Sequence, residues 1–143
     1  MVYRGGDKYE GLWEQGKKHG VGTMTFITGD GSIDRIYKGN WNQDHMSGEG
    51  KTIWKVITST LSYGGQYKND NPNGKGLMIY SNNDQYAGFW TDGLRHGYGE
   101  LSHPDGKMIY EGMWANDKYE GQGVLNIYEG TEVQIKEGRF KNG

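Results

Sequence analysis

The chain has no cysteine, and of its 143 residues only two are proline. No disulfide, thiolate metal site or cysteine nucleophile is available to it. Leu, Ile, Val and Phe together number 23, or 16% of the residues, too few for a thick aliphatic core. No apolar run approaches the ~18 residues of a membrane-spanning helix. The start, Met1-Val2-Tyr3-Arg4-Gly5-Gly6, shows no apolar signal segment. With a net charge of −2, nothing suggests nucleic-acid binding. Residues 1–80 carry ten bases and eight acids, and residues 81–143 carry six and ten. That tilt is too small to name a partner. A reducing, cytoplasmic setting fits these absences.

What is abundant is glycine, with 26 residues, and aromatic residues, with 19. Disordered chains are poor in aromatics, so the chain is expected to fold. The two classes recur together. Tyr9-Glu10-Gly11-Leu12-Trp13 returns as Tyr37–Trp41, Tyr63–Tyr67, Tyr86–Trp90 and Tyr110–Trp114. In every copy a Gly-x-Gly stands eleven residues after the leading tyrosine: Gly20/Gly22, Gly48/Gly50, Gly74/Gly76, Gly97/Gly99 and Gly121/Gly123. The copies start 28, 26, 23 and 24 residues apart, so all length variation lies after Gly-x-Gly. A fixed half and an elastic half predict a hairpin with a variable connection.

Within each half the period is two, which places Tyr, Gly and Trp on one face of a strand. Turn residues such as Gln15-Gly16 and Asp92-Gly93 separate the halves. The alternation predicts an all-β fold: an elongated, single-layer antiparallel sheet of consecutive hairpins, a solenoid of about twelve strands with an aromatic groove. Both glycines of each Gly-x-Gly are expected to form a floor on which the rings lie. The apolar connection Ile53–Ser62, with Trp54, Val56, Ile57 and Leu61, predicts extended strands in the second hairpin.

These residues resemble the MORN (membrane occupation and recognition nexus) repeat family, whose pattern is similar to Tyr-Glu-Gly-x-Trp-x-x-Gly-x-x-x-Gly-x-Gly. Tyr9 to Gly22 follows it closely, Gly16 and His19 included. Departures are Asp44, Asp70 and Asp117 in the place of Gly16, and Tyr67 in the place of a tryptophan. The array divides into residues 1–8 as the tail of a half-repeat and five repeats over 9–36, 37–62, 63–85, 86–109 and 110–135. Residues 136–143 form a second half-repeat, with Lys136 in the tyrosine place and Phe140 in the tryptophan place. Half-hairpins at both ends lead us to expect a piece of a longer array, or caps of a complete one. Open edge strands make self-association an expectation.

Catalysis finds little support. His19 and His96 share a repeat position that holds Ser47, Asn73 and Glu120 elsewhere, His45 lies in a turn, and His103 ends a strand. No nucleophile triad, nucleotide loop or metal-ligand spacing is present, and Asp30-x-Ser32-x-Asp34 reads as a turn. No enzyme activity, cofactor or metal is therefore expected. The partner-binding candidates are the ten rings Tyr9, Trp13, Tyr37, Trp41, Tyr63, Tyr67, Tyr86, Trp90, Tyr110 and Trp114. Lys17, Lys18 and Arg95 are weak lipid-contact candidates.

The family resemblance implies a non-enzymatic scaffold that takes a peptide or helix in the groove and extends end to end. The setting it implies is a ciliary or cytoskeletal assembly, and the Asn-, Ile-, Lys- and Tyr-rich composition suits an AT-rich protist genome. The alternatives are a tether to anionic phospholipid, or a regulatory accessory domain of a larger lipid kinase or methyltransferase. An aromatic-cage binder of choline type matches in composition but not in motif order.

Overall fold

Five short turns repeat one backbone conformation. Gln15-Gly16, Gln43-Asp44, Asn69-Asp70, Asp92-Gly93 and Asn116-Asp117 all hold positive φ at both residues, between 48° and 84°. That is the type I′ geometry whose twist matches antiparallel strands. The computed structural model describes residues 1–56 and 59–143, and the turns join its strands into hairpins. The strands are β1 (Lys8–Glu14), β2 (Lys17–Ile27), β3 (Ile33–Asn42), β4 (His45–Val56), β5 (Ser59–Lys68) and β6 (Asn71–Ile79). They continue with β7 (Gln85–Thr91), β8 (Leu94–Ser102), β9 (Met108–Ala115), β10 (Lys118–Glu129) and β11 (Glu132–Phe140). They form one open sheet in sequence order, each strand antiparallel to its neighbours. Among the described residues there is no helix.

About twelve strands are expected from the repeats, and eleven form. Met1–Tyr3 adds a bridge from Val2 to Lys8, reinforced by Tyr9 N–H donating to the Met1 carbonyl (2.9 Å). The first edge is thus partly occupied, whereas β11 presents Glu132 to Glu137 to solvent. The connection Ile53–Ser62 does form extended strands, but the extra length pairs β4 with β5, out to Val56 and Ser59, while the second hairpin itself, β3 with β4, pairs only as far as Arg35 and Trp54. Ile57 lies outside the described residues. In β11, Lys136 faces Leu125 and Phe140 faces Gly121, as Tyr37 faces Met24 and Trp41 faces Gly20.

Each hairpin carries the same irregularity. Between Gly11↔Gly22 and Trp13↔Lys18, β1 advances two residues and β2 four. The shift recurs at Gly39/Trp41, Gly65/Tyr67, Gly88/Trp90 and Tyr119/Gly123. The extra length of chain is a bulge, and it divides the two glycines of Gly-x-Gly into different jobs.

The second glycines are Gly22, Gly50, Gly76, Gly99 and Gly123. They face Gly11, Gly39, Gly65, Gly88 and Gly112 across their hairpins. The rings of Tyr9, Tyr37, Tyr63, Tyr86 and Tyr110 lie on these pairs. None of the five second glycines has a positive φ, so space for the ring, not backbone freedom, is what selects glycine there. Gly22 and Gly99 are buried by their rings, while Gly50, Gly76 and Gly123 are only half-buried. The first glycines, Gly20, Gly48, Gly74, Gly97 and Gly121, hold φ between 64° and 98°. They turn toward Leu12, Asn40, Gln66, Phe89 and Met113 on the other face. The expectation that both glycines form the ring floor is therefore corrected. At Gly50 and Gly123, as in the other repeats, the floor pairs the second glycine with the centre of Tyr-x-Gly-x-Trp. The first glycine is a bulge residue in left-handed conformation.

A Cβ at Gly99 would sit 2.2 Å from the Tyr86 hydroxyl, whereas Gly29 has nothing within 4 Å and no positive φ. Gly99→Ala is expected to lose about 3 kcal/mol or more, at the upper end of overpacking costs. Gly97→Ala should lose about 1–3 kcal/mol through backbone strain, and Gly29→Ala less than about 0.5 kcal/mol. Urea denaturation midpoints of the three variants measure the order. Equal losses at Gly99 and Gly29 would contradict the floor.

Candidate functional site: the aromatic face

The five motif tyrosines, Tyr9, Tyr37, Tyr63, Tyr86 and Tyr110, are fully buried. A buried phenol needs a partner for its O–H, and each donates to the carbonyl three residues on. The acceptors are Leu12, Asn40, Gln66, Phe89 and Met113, at 2.8–3.1 Å. The bond pulls the ring down along its own strand and over the glycine pair. The indole N–H groups are satisfied one repeat back: Trp41 donates to the Gly22 carbonyl (3.3 Å), Trp90 to Gly76 (3.4 Å) and Trp114 to Gly99 (3.1 Å). Tyr67 has no indole. Its hydroxyl instead shares a 2.6 Å hydrogen bond with Thr52, itself buried.

The ten rings form one edge-to-face chain. Each tyrosine meets the large ring of its own repeat and that of the next, from Trp13 through Tyr9, Trp41 and Tyr37 to Trp114 and Tyr110. Centroids lie 5.1–5.4 Å apart with planes at 80–90°. Such contacts contribute about 0.5–1.5 kcal/mol each beyond area burial. Nine of the ten rings are at most 5% exposed, and Trp13, which meets one motif tyrosine where the other large rings meet two, is 40% exposed. The candidate groove residues are thus brought together, but as the core of the sheet.

A roof lies over them. The residue facing the large ring across each hairpin is Lys18, Met46, Pro72, Arg95 or Tyr119. The Lys18 ammonium stands 5.0 Å from the Trp41 ring and the Arg95 guanidinium 4.2 Å from Trp114. Tyr119 stacks on Tyr110 at 4.0 Å. Lys18 also pairs with Asp44 at 3.5 Å and Arg95 with Asp117 at 3.0 Å. Two of the three lipid-contact candidates are therefore turned onto ring faces and paired with carboxylates. Lys17 is exposed and donates to Gln43 (2.9 Å).

These aspartates are the departures from Gly16, and the structure explains them. Asp44, Asp70 and Asp117 accept the backbone N–H of the roof residue one hairpin back: Lys18, Met46 and Arg95, at 2.7–2.9 Å. The fourth repeat has Gly93, and the roof residue it faces is Pro72, which has no N–H to offer. Aspartate stands where there is a donor to receive. The histidines tie turns in the same way, His45 to Asp70 (2.6 Å) and His103 to Asp84 (2.9 Å). Asp30 is held at about 2 by hydrogen bonds from Thr28 and Ser32, which makes the Asp30-x-Ser32 segment a capped turn. Among the described residues no three His, Asp or Glu side chains converge as metal ligands.

The roof changes character in the middle of the sheet. Over repeats two and three, Met46 and Pro72 replace the cations. Two adjoining cavities open there. One, of about 240 Å³, is lined by Met24, Phe26, Trp41 and Met46 with the Lys18–Asp44 pair at its side; the other, of about 460 Å³, by Met46, Trp54, Tyr67 and Met78. Arg35 and Asp70 border both, and the Arg35 guanidinium stacks on Phe26 at 3.9 Å. Sequence reasoning named the rings but not this methionine-lined gap. Its signal was the run of roof residues, read one repeat at a time.

A one-layer sheet of similar hairpins with a repeating Tyr–Gly lock defines a β-hairpin repeat module. A MORN repeat profile matches residues 9–31, 37–55, 63–85, 86–108 and 110–131, and the chain belongs to the MORN repeat family. It is similar to Alsin of Rattus norvegicus, 29% identical over 126 residues, covering 82% of this chain and 7% of that protein. The ALS2 C-terminal-like protein of Homo sapiens is 32% identical over 95 residues, 65% of this chain and 9% of that protein. MORN repeat-containing protein 3 of Xenopus laevis is 34% identical over 68 residues, 45% of this chain and 29% of that protein. The chain thus spans a small part of the relatives it matches. The family is one of interaction repeats, generally without catalysis of their own.

Two outcomes follow from the site. Asp70→Gly, which keeps the left-handed backbone, is expected to lose about 1 kcal/mol or more by freeing the Met46 N–H and the His45 ring. Gly93→Asp should gain a comparable bond only when Pro72→Met supplies a donor, which a thermodynamic cycle of urea midpoints detects.

Burial pushes the phenols of Tyr37, Tyr63 and Tyr86 well above their ordinary value of 10.0, and that of Tyr67 up to about 12. The fold binds the neutral phenol, so this stability is fully present below pH 10 and is lost as pH rises toward 12 and beyond. Phenolate absorbance from these rings should appear together with loss of β circular dichroism. Their ionisation near pH 10 with the sheet intact would contradict the burial.

Proposed function

We propose that this array is a non-enzymatic scaffold module that binds an apolar protein segment in the gap of its roof beside Tyr67, between Met46 and Met78. The observation that carries this reading is the half-buried pair Met46 and Met78 beside Trp54, which line the larger cavity, with buried Met24 behind the smaller one. Methionine packs against varied shapes and is favoured at surfaces that accept several partners. Arg35 and Asp70 at its border would orient a segment with polar ends. The rings beneath supply rigidity rather than contact area. Placement in a cytoplasmic, ciliary or cytoskeletal assembly belongs to the same scaffold reading. An anionic-lipid tether would have to draw on Lys17, because Lys18 and Arg95 are engaged on the rings. Relatives many times longer than the matched segment support a module serving a larger polypeptide.

The test is selection of binders from a displayed library of amphipathic peptides. Met46→Glu/Met78→Glu is expected to weaken the selected peptides on the order of a hundredfold, as loss of two apolar anchors implies. Phe89→Glu on the opposite face should leave them unchanged. Peptides that bind the groove variant as well as the parent, with its circular dichroism intact, would overturn the reading.

A further inference from the structure

The face of the sheet opposite the rings carries one transverse row that the register makes continuous. From β1 to β11 it reads Glu10, Thr23, Lys38, Lys51, Gly64, Leu77, Ala87, Glu100, Glu111, Val124 and Glu137. Two of its neighbouring pairs are like-charged: Lys38 faces Lys51, and Glu100 faces Glu111. Like charges directly opposite in a sheet destabilise it. Among the described residues none of the four has an ion-pair partner, although the Tyr98 hydroxyl donates to Glu111. The cationic pair occupies β3 and β4, the anionic pair β8 and β9, and the strand midway between them is β6. There the row is apolar, with Leu77 39% exposed. Beside it opens a shallow cavity of about 430 Å³ bordered by Leu77, Ala87, Phe89 and Tyr98, of which Phe89 and Tyr98 are 42% and 43% exposed.

A row that runs positive, apolar, negative about one central strand is complementary to itself when reversed. We propose that this face is a homodimer interface, in which a second copy of the chain packs face to face about a two-fold axis running along β6. The operation sets Lys38 against Glu111, Lys51 against Glu100, Gly64 against Ala87, and Leu77 against its own copy. Two sheets stack about 10 Å apart with strands near alignment, and each pair of contacts occurs twice, as an isologous interface requires. The strands from β2 to β10 span about 40 Å, and five residues along each span about 17 Å. That footprint of roughly 700 Å² per copy is close to the ~800 Å² of a standard interface. Lys75, over Phe89 at 5.4 Å, meets its own copy near the axis, and Glu10 meets Glu137 at the rim. Those repulsions are outnumbered by four Lys–Glu contacts.

Sedimentation equilibrium of the chain measures the association. A dimer is expected, weakened on the order of tenfold or more by Lys38→Glu/Lys51→Glu, and equally by Glu100→Lys/Glu111→Lys. Mixing the two variants should restore association as a heterodimer, and so should all four changes in one chain. All four side chains project from the sheet surface, and circular dichroism verifies that the variants fold. A monomer up to millimolar concentration would overturn the proposal, as would a dimer indifferent to both double variants. A dimer abolished only by Ile135→Pro would assign association to the β11 edge and also overturn it.

Discussion

A tyrosine ring rests on the backbone of its own hairpin only where no Cβ intervenes, and in each repeat two glycines face one another to leave that space. The Tyr86 hydroxyl and ring occupy the volume that side chains at Gly88 and Gly99 would fill. Everything else on this face is arranged around that contact. The ring lies low enough for its O–H to reach the Phe89 carbonyl. It then presents its edge and face to Trp90 and Trp114. The tryptophans, wedged between successive tyrosines, reach back to the glycine carbonyl of the previous hairpin. A sheet with one layer obtains a dry interior by sinking its rings into its own backbone, and so needs little aliphatic residue to exclude water.

The spacing of Tyr, Gly and Trp made the hairpins, their order and the ring face legible, because period-two alternation and a fixed Tyr-to-Gly-x-Gly distance are direct consequences of strand geometry. What was not legible depended on φ angles and on contacts between repeats. Gly97 and Gly99 look alike in the chain, as do Gly48 and Gly50 or Gly121 and Gly123. In each pair a bulge sends one to each face, with positive φ at the first only. Burial of Trp41 and Trp90 to a few per cent required knowing that consecutive repeats interlock edge to face. The match between Pro72 and Gly93 joins residues of adjacent hairpins, so it emerges only when each turn is read against the strand start before it.

The two faces divide the labour. On one, aromatic rings, cations and aspartates satisfy each other repeat by repeat, leaving the methionine gap over the second and third. On the other, Leu77, Phe89, Tyr98 and Met113 are exposed among like-charged pairs of lysine and of glutamate. A sheet built this way offers two chemically different faces.

The pairing of every strand only with its sequence neighbours has a mechanical meaning. The hydrogen bonds between strands lie along the sheet's long axis, and the first and last strands are its two ends. Tension applied through the chain termini would therefore load those bonds in series and open the terminal hairpin before its neighbours, one repeat at a time. Force applied to the faces, by contrast, is spread over the continuous ring chain and resisted by all repeats together. Such an array can release length in hairpin-sized steps under tension along its sheet.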